Sequence, residues 1–450
     1  MVIVMKMIEM SRNNPAVARL LPMGTMKKNS LIINMTMAFI IVMTCSCPAE
    51  ESTTLASYLE QALLGNDSLL AAQAEFRAGT ERVRQTGVLP DPKLSVQYYL
   101  KPVETRTGPQ NGSIALSQAI PWFNKLSLLR ELSDHEAAIA GVRLAAVELD
   151  VARQVKEAYV EYGYLGRSKQ TISDNIELLR YLEGVARSQY TGGKSTYFDV
   201  LKIQIELAKS EEKDLNIGDQ AGPLRIHINS LLGCESERAQ AIPTTLPQVV
   251  LSKGEDEIIS IALENAPVLH EAQERIARAR TGKELADKDF YPDFAFSLKT
   301  IFTGSAEFGD PPDSGDDPVI AGLTMNLPVF RDRRHGKVAE KEALISSAQS
   351  FHRQRVRDLA TEIERSLYAY REAQRRIALY RDDLLPKVSQ QLEVAINGFQ
   401  SGQLTILELI DAEKNLLNFQ LAENRAVADR ALAVARLEAR AGLTLADWRK

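Results

Sequence analysis

The chain has 450 residues, 45% of them hydrophobic and 25% charged, with a net charge of -5. This composition supports a large folded core and excludes an intrinsically disordered chain, and so small a net charge implies neither a nucleic-acid partner nor a polyanion-like surface. The 25 glycines and 18 prolines cluster at a few places, leaving long stretches rich in Ala, Leu, Glu, Arg, Lys and Gln that favour helix.

At the N-terminus, Lys27 and Lys28 precede Leu31 to Thr44, a run apolar apart from Asn34, Thr36 and Thr44. It is too short for a membrane-spanning helix, which needs about 20 residues, and reads as a signal peptide. Initiation at Met26 makes residues 1–25 an upstream extension, and cleavage is expected after Ala49. The alternative is lipidation at Cys47 or, second, Cys45, although the residues before each fit a lipobox poorly. The remaining cysteine, Cys234, reads as a small buried side chain. No other stretch suits a transmembrane helix, so any membrane crossing must use strands.

The mature chain is written twice, with a period of roughly 200 residues, far beyond any solenoid unit. Ala62-Leu63-Leu64-Gly65-Asn66 is echoed by Ala262-Leu263-Glu264-Asn265, and Leu89-Pro90-Asp91 by Tyr291-Pro292-Asp293. Ile120-Pro121-Trp122-Phe123 then returns as Leu327-Pro328-Val329-Phe330, and Tyr190-Thr191-Gly192-Gly193 as Phe399-Gln400-Ser401-Gly402.

Each half opens with helices, over 50–92 and 256–291. A β-hairpin follows, over 93–121 and 292–330. In the first, Leu94, Val96, Tyr98 and Leu100 alternate with Ser95, Gln97, Tyr99 and Lys101, and Ser113 to Ile120 alternates more weakly. In the second, Phe294, Phe296 and Leu298 face away from Ala295, Ser297 and Lys299, while Val319, Ala321, Leu323, Met325 and Leu327 oppose Ile320, Gly322, Thr324 and Asn326. That period of two is the mark of a strand with one apolar face. A long helical hairpin completes each half, over 122–232 and 331–443.

The spacing predicts a first rod from Asn124 to about Gln189, carrying Val151, Val155, Ala158, Tyr162 and Leu165 on one stripe and roughly 100 Å long at 1.5 Å per residue. It predicts a second from about Gly336 to Asn397, with Val356, Leu359, Ile363, Leu367, Tyr370, Ile377, Tyr380 and Leu384 on its stripe and a kink at Pro386. Return helices are expected over Thr196 to Leu232 and Thr405 to Leu443. Residues 233–255, with Pro243 and Pro247, form the linker, and 444–450 a tail.

The expected class is therefore mainly α with β. Two hairpins supply four strands, too few to close a barrel, and open edges do not sit in lipid. If the hairpins cross a membrane, several chains must share one barrel, and three would give twelve strands with room for a lumen.

The duplicated plan resembles the TolC-like outer-membrane factor family, over nearly all of residues 52 to 445. The resemblance rests most on the tip turns, Tyr190-Thr191-Gly192-Gly193 through Asp199-Val200-Leu201 and Phe399-Gln400-Ser401-Gly402 through Glu408-Leu409-Ile410-Asp411. Leu89-Pro90-Asp91-Pro92 and Ser117-Gln118-Ala119-Ile120-Pro121 add to it and lean toward the cation-efflux branch. The resemblance implies an outer-membrane duct of a tripartite efflux or type I secretion system: a homotrimer with a twelve-stranded transmembrane barrel and a periplasmic α-barrel tunnel. Its implied partners are a periplasmic adaptor (membrane fusion protein), an inner-membrane RND or ABC transporter and outer-membrane lipid.

By motif match, Glu408 and Asp411 fall where the family lines its pore constriction, and Asp199 where neighbouring tip hairpins touch. Repeated by symmetry, such acids would attract cations; equally, acids in the first turns of a helix complement its dipole at about 0.3–1 kcal/mol each. Gly192, Gly193 and Gly402, with Tyr190 and Phe399, mark the turns where the family's adaptors dock. Phe399 and Leu404 stand where some members carry a tyrosine and an arginine, which argues against a polar gate through those two positions.

Other motifs carry less. Gly192-Gly193-Lys194-Ser195 lacks the first glycine and the strand-loop-helix context of a phosphate loop. Arg331, Arg333, Arg334, His335 and Lys337 could meet periplasmic-side lipid or form a solvated helix start. Asp310, Asp313, Asp316 and Asp317 lack EF-hand spacing. No clustered ligand pairs or catalytic set emerge, so neither a cofactor, a metal centre, an enzyme nor a nucleic-acid partner is expected. The alternative reading is a soluble periplasmic coiled-coil adaptor or tethering protein. It accounts for the rods but not for strands of near-membrane-crossing length with one apolar face.

Overall fold

The computed structural model describes residues 54–445 apart from 239, 244 and 310. The signal segment with Cys45 and Cys47, the tail beyond 445, and Asp310 lie outside the described residues. The first half runs α1 (Leu55–Gly65), α2 (Asp67–Gln85), β1 (Lys93–Val103), β2 (Gln110–Ile120), α3 (Lys125–Thr191) and α4 (Tyr197–Leu231). The second runs α5 (Glu255–Asn265), α6 (Pro267–Lys288), β3 (Phe294–Thr303), β4 (Val319–Met325), α7 (Arg331–Ala378), a π-helical turn (Leu379–Leu384), α8 (Leu385–Ser401) and α9 (Ile406–Ala441). The chain is thus mainly α with β, as expected.

Local chemistry sets the breaks. Between α1 and α2, the Asn66 side-chain oxygen accepts from the Ser68 and Leu69 amides, capping α2, while its Nδ2 donates to Leu231 O at 2.9 Å. One side chain thereby starts a helix and ties it to the far end of α4. In the second half Pro267 occupies the first turn of α6, where its missing N–H costs no hydrogen bond.

The first rod, α3, is a continuous helix of 67 residues, about 100 Å at 1.5 Å per residue. The second rod begins at Arg331, five residues before the expected Gly336, because the Arg334 side chain donates to Asp289 O and Phe330 O and secures the helix start. The regular α-helix is interrupted beside Pro386. The strain is taken up just before the proline by the π-helical turn, where Leu385 N–H reaches back to Tyr380 O. A widened turn relieves the clash between the proline ring and the preceding carbonyls.

Both predicted stripes are internal. Val151, Val155, Ala158 and Tyr162 are buried with Leu55, Tyr58, Ala62, Ile228, Leu231 and Leu232. The counterpart core joins Ile258, Ala262 and Leu269 to Leu359, Ile363, Leu367, Leu437 and Ala441. Each fully buried leucine or isoleucine contributes roughly 1.5–3 kcal/mol. The linker docks on the rods: Tyr162 Oη donates to Gln240 O at 3.1 Å, and Val249 is buried with Val160, Ala428, Ala431 and Val434. Beside this layer Lys156 and Glu438 form a buried ion pair joining α3 to α9.

The two hairpins do not stand apart. They form one antiparallel sheet in the order β1-β2-β3-β4, with β2 and β3 joining the halves. Among the described residues no helix is long and apolar enough to cross a membrane.

Candidate functional site: an exposed apolar sheet and a capped helical tip

Across the sheet the register sets like residues side by side. Leu94 lies opposite Leu116, Leu116 opposite Leu298, and Leu298 opposite Ala321. Val96, Ile114, Thr300 and Val319 form the next row, while Phe296 faces Leu323 and Phe294 faces Met325. This face is open: Leu94 is 65% exposed, Leu323 60% and Leu100 95%. The other face is mixed: Ser95, Ala115, Ser117, Ser297, Lys299 and Gly322 share it with Tyr99, Ile301 and Ile320. An apolar face outward and a partly polar one inward is the pattern of a strand wall with lipid on one side and water on the other. A patch of this extent is rare on a protein that meets only water. The edges β1 and β4 have no strand partner among the described residues.

Where strands meet helices, Lys125 is buried between Asp289 at 3.3 Å and Asp293 at 3.1 Å. Asp293 also accepts the Trp122 backbone N–H at 2.7 Å, and Trp122 stacks on Tyr291 with ring centroids 4.9 Å apart. Burial alone would raise the Asp289 carboxyl, but hydrogen bonds and charge from Lys337 and Lys125 hold it below the usual carboxylate range. Sequence reasoning missed this node, although the doubled Pro-Asp at Pro90-Asp91 and Pro292-Asp293 was its signal.

The same junction divides the basic cluster. Arg334 and Lys337 bind Asp289, and His335 lies against Phe290, whereas Arg331 and Arg333 are exposed beside the exposed Val329 and Phe330. In the hairpin loop Asp313 pairs with Arg106 and Asp317 accepts the Thr303 amide. Among the described residues no group of three or more His, Cys, Asp or Glu is placed to hold a metal ion.

At the other end of the rods both turns reverse through a glycine. Gly193 has φ +71° and Gly402 φ +78°, a region that glycine enters without steric cost, and a Cβ added at either would meet no neighbouring group within 4 Å. Lys194 N–H closes onto Gln189 O, and Gln403 N–H onto Gly398 O, each at 2.8 Å, the reversal that commonly ends a helix. Gly192 is the last residue before the first reversal, its N–H bonded to Ser188 O.

The turns differ in packing. Phe399 is buried and Leu404 presses onto Gly398, so apolar contact seals the second turn. Tyr190 is half-exposed, its ring 5.7 Å from that of Tyr197, and Gln189 Nε2 crosses to Gln400 O at 2.9 Å. Beneath lies a core shared by both halves: Leu179, Leu182, Ala186, Val200, Ile203, Leu392, Ala395, Ile406, Leu409 and Ile410.

Asp199 and Glu408 are capping acids. The Asp199 carboxylate accepts the Thr196 amide at 2.9 Å and the Glu408 carboxylate the Thr405 amide at 2.7 Å, each completing a capping box. The Thr405 N–H and hydroxyl hold the Glu408 carboxyl below its ordinary range. Asp411, one turn on, remains exposed and takes a hydrogen bond from Asn415 at 3.2 Å. Glu408 and Asp411 lie one turn apart on α9 and are exposed, while Leu409, Ile410 and Ala412 between and beside them are buried.

One further acid escaped sequence reasoning. Glu413 is 2% exposed, with Asn175 as a hydrogen-bond partner and Oε2 unpaired. Burial pushes its carboxyl up, Asn175 pulls it partly back, and Glu206, Lys414 and Lys213 act more weakly.

A family model described as outer membrane efflux protein matches residues 58–233 and 258–443. The cobalt-zinc-cadmium resistance protein CzcC of Cupriavidus metallidurans is 22% identical over 373 residues, spanning 82% of this chain and 85% of that protein. The crystal structure of the outer membrane protein VceC from Vibrio cholerae superposes with a TM-score of 0.73 at 21% identity, over 87% of this chain and 96% of that one. The open state of the Neisseria gonorrhoeae MtrE outer membrane channel superposes with a TM-score of 0.70 at 15% identity, over 87% and 90%.

Proposed function

The chain belongs to the outer membrane efflux protein family, and from that premise we propose that three copies close one conduit from the periplasm through the outer membrane. It is an outer-membrane efflux channel component that extends into the periplasm; its copy number, partners and cargo are the proposal. The observation that carries it is the single sheet, open at both edges among the described residues and mostly apolar on one face. Such a sheet satisfies its backbone in lipid only when its edges pair with copies of itself.

Three copies place twelve strands around a lumen lined by the mixed face. The long helical hairpins continue as a tunnel toward the inner membrane, and the tip turns at Tyr190, Gly192, Gly193, Phe399 and Gly402 offer the docking ends for a periplasmic adaptor. An inner-membrane RND or ABC pump supplies the free energy, and the duct conducts passively. Glu408 and Asp411, repeated by symmetry, give the constriction a negative field that favours cations, with Asp199 at the contact between neighbouring tips. The proposed cargo is a divalent metal cation, supported by the likeness to the cobalt-zinc-cadmium resistance protein.

A strain lacking the gene tests this. It is expected to be hypersensitive to cobalt, zinc or cadmium, to recover with the wild-type gene, and to recover less with Glu408→Ala and Asp411→Ala combined. Hypersensitivity confined to organic drugs would overturn the cargo, and no phenotype on either panel would overturn efflux in favour of secretion.

A further inference from the structure

Two strand seams can be read in the chain itself, and the repeat relates them. Leu89-Pro90-Asp91 maps onto Tyr291-Pro292-Asp293 at the start of each hairpin, and Ile120-Pro121 onto Leu327-Pro328 at its end. Carried along the strands, Lys93 opposite Ser117 becomes Ala295 opposite Thr324, and Val96 opposite Ile114 becomes Leu298 opposite Ala321. Both are observed pairs, as are the mapped images of Leu94–Leu116, Ser95–Ala115, Gln97–Ser113 and Tyr98–Gly112. The repeat therefore conserves register within the hairpins, with the extra residues of the second hairpin confined to its loop.

The inner seam, β2 with β3, joins the end of one hairpin to the start of the next. Its image under the same mapping joins β4 to a β1 that this chain cannot supply, because its own β1 lies at the opposite edge of the sheet. Resting on the shared-barrel reading above, we propose that β4 of one copy pairs with β1 of the next in a single register. Met325 lies opposite Leu94, Leu323 opposite Val96, Ala321 opposite Tyr98, and Val319 opposite Leu100.

Two independent features agree with this register. It sets four exposed residues of β4 beside four exposed residues of β1 on the lipid face, whereas a slip by one residue would turn one strand's apolar side into the lumen. It also sets Pro92, which has no N–H to donate, opposite Leu327, beyond the last ladder residue of β4. The seam is not a full copy of the inner one. Lys125, the cation that Asp293 binds, maps onto Asp332, so the junction salt link is not repeated there and the strands themselves must carry the pairing.

Disulfide formation reads the register directly. Directly opposite Cβ atoms lie about 4.5–5.5 Å apart, which a small local adjustment brings to the spacing of about 3.5–4.5 Å a disulfide needs, whereas diagonal ones lie at about 7–8 Å. Within one chain β1 and β4 are separated by two strands, roughly 14 Å at 4.8 Å per step, so a bond between them must join copies. In a Cys234→Ala background, Val96→Cys with Leu323→Cys is expected to give a reducible ladder ending at three chains when outer membranes are mildly oxidised. The diagonal pair Tyr98→Cys with Leu323→Cys is expected to stay mostly uncrosslinked. Trimers that crosslink through the diagonal pair, or through neither, would overturn the register and leave the channel standing. Absence of any oligomer in detergent, for wild type and variants alike, would overturn both.

Discussion

The sheet and the helical tip lie at opposite ends of the same rods and solve opposite problems. At the tip the apolar residues turn inward: Leu179, Ile203 and Leu409 are fully buried, both turns are closed by glycine, and Asp199 and Glu408 are engaged in capping boxes. In the sheet the apolar residues turn outward, and the outer edges of β1 and β4 have no strand partner among the described residues. The tip closes its apolar core within a single chain, whereas the sheet leaves an apolar face and two outer edges uncovered among the described residues. Hydrophobicity alone does not separate the two; the direction the side chains face does.

Three substitutions sharpen the contrast. The largest effect is expected from Leu323→Arg, which places a charge at mid-strand on the lipid face at a cost of about 2–4 kcal/mol per copy. Heat-modifiable oligomer should vanish from outer-membrane fractions, and unchanged oligomer would mean that this face does not meet lipid. Next is Leu409→Ala, which opens a cavity in the tip core worth about 2–5 kcal/mol. Proteolysis at the tip should accelerate while the sheet still oligomerises, and loss of both together would show that the two ends are not independent.

The smallest effect concerns Glu413. Its carboxyl is pushed above its ordinary value in the fold, so the folded state holds the proton more tightly than the unfolded chain does. Its stabilising contribution is present below the ordinary glutamate value and is lost as pH rises through the raised one. Glu413→Gln is therefore expected to raise Tm relative to wild type at pH 8 and to change little at pH 4. A difference independent of pH would contradict a buried, strained carboxyl.

Periodicity made the strands and rods legible, because a face that must meet a core or lipid leaves a period of two or of 3.6 in the sequence. The neighbour of a strand was not legible. Leu116 and Leu298 are far apart in the chain, and neither their pairing nor the junction of Lys125 with Asp289 and Asp293 beside it leaves a periodic signal. Glu408 could be read equally as a pore acid or a helix-start acid, and Asp199 more readily as the latter; the structure supplies the capping contacts of both. Glu413 sits in an ordinary amphipathic stretch between Ala412 and Lys414, and only the packing of α3 and α4 against α9 reveals that it is buried. The basic run after Phe330 read as a late helix start because the acceptors for Arg334, Asp289 O and Phe330 O, cannot be seen in it.

The most direct test of the shared sheet is the molar mass of the protein extracted from outer membranes in mild detergent, measured by light scattering with the detergent contribution subtracted. Three chains per particle, together with stepwise conductance when the particles enter a planar bilayer, is the predicted result. A monodisperse single chain that conducts nothing would contradict it.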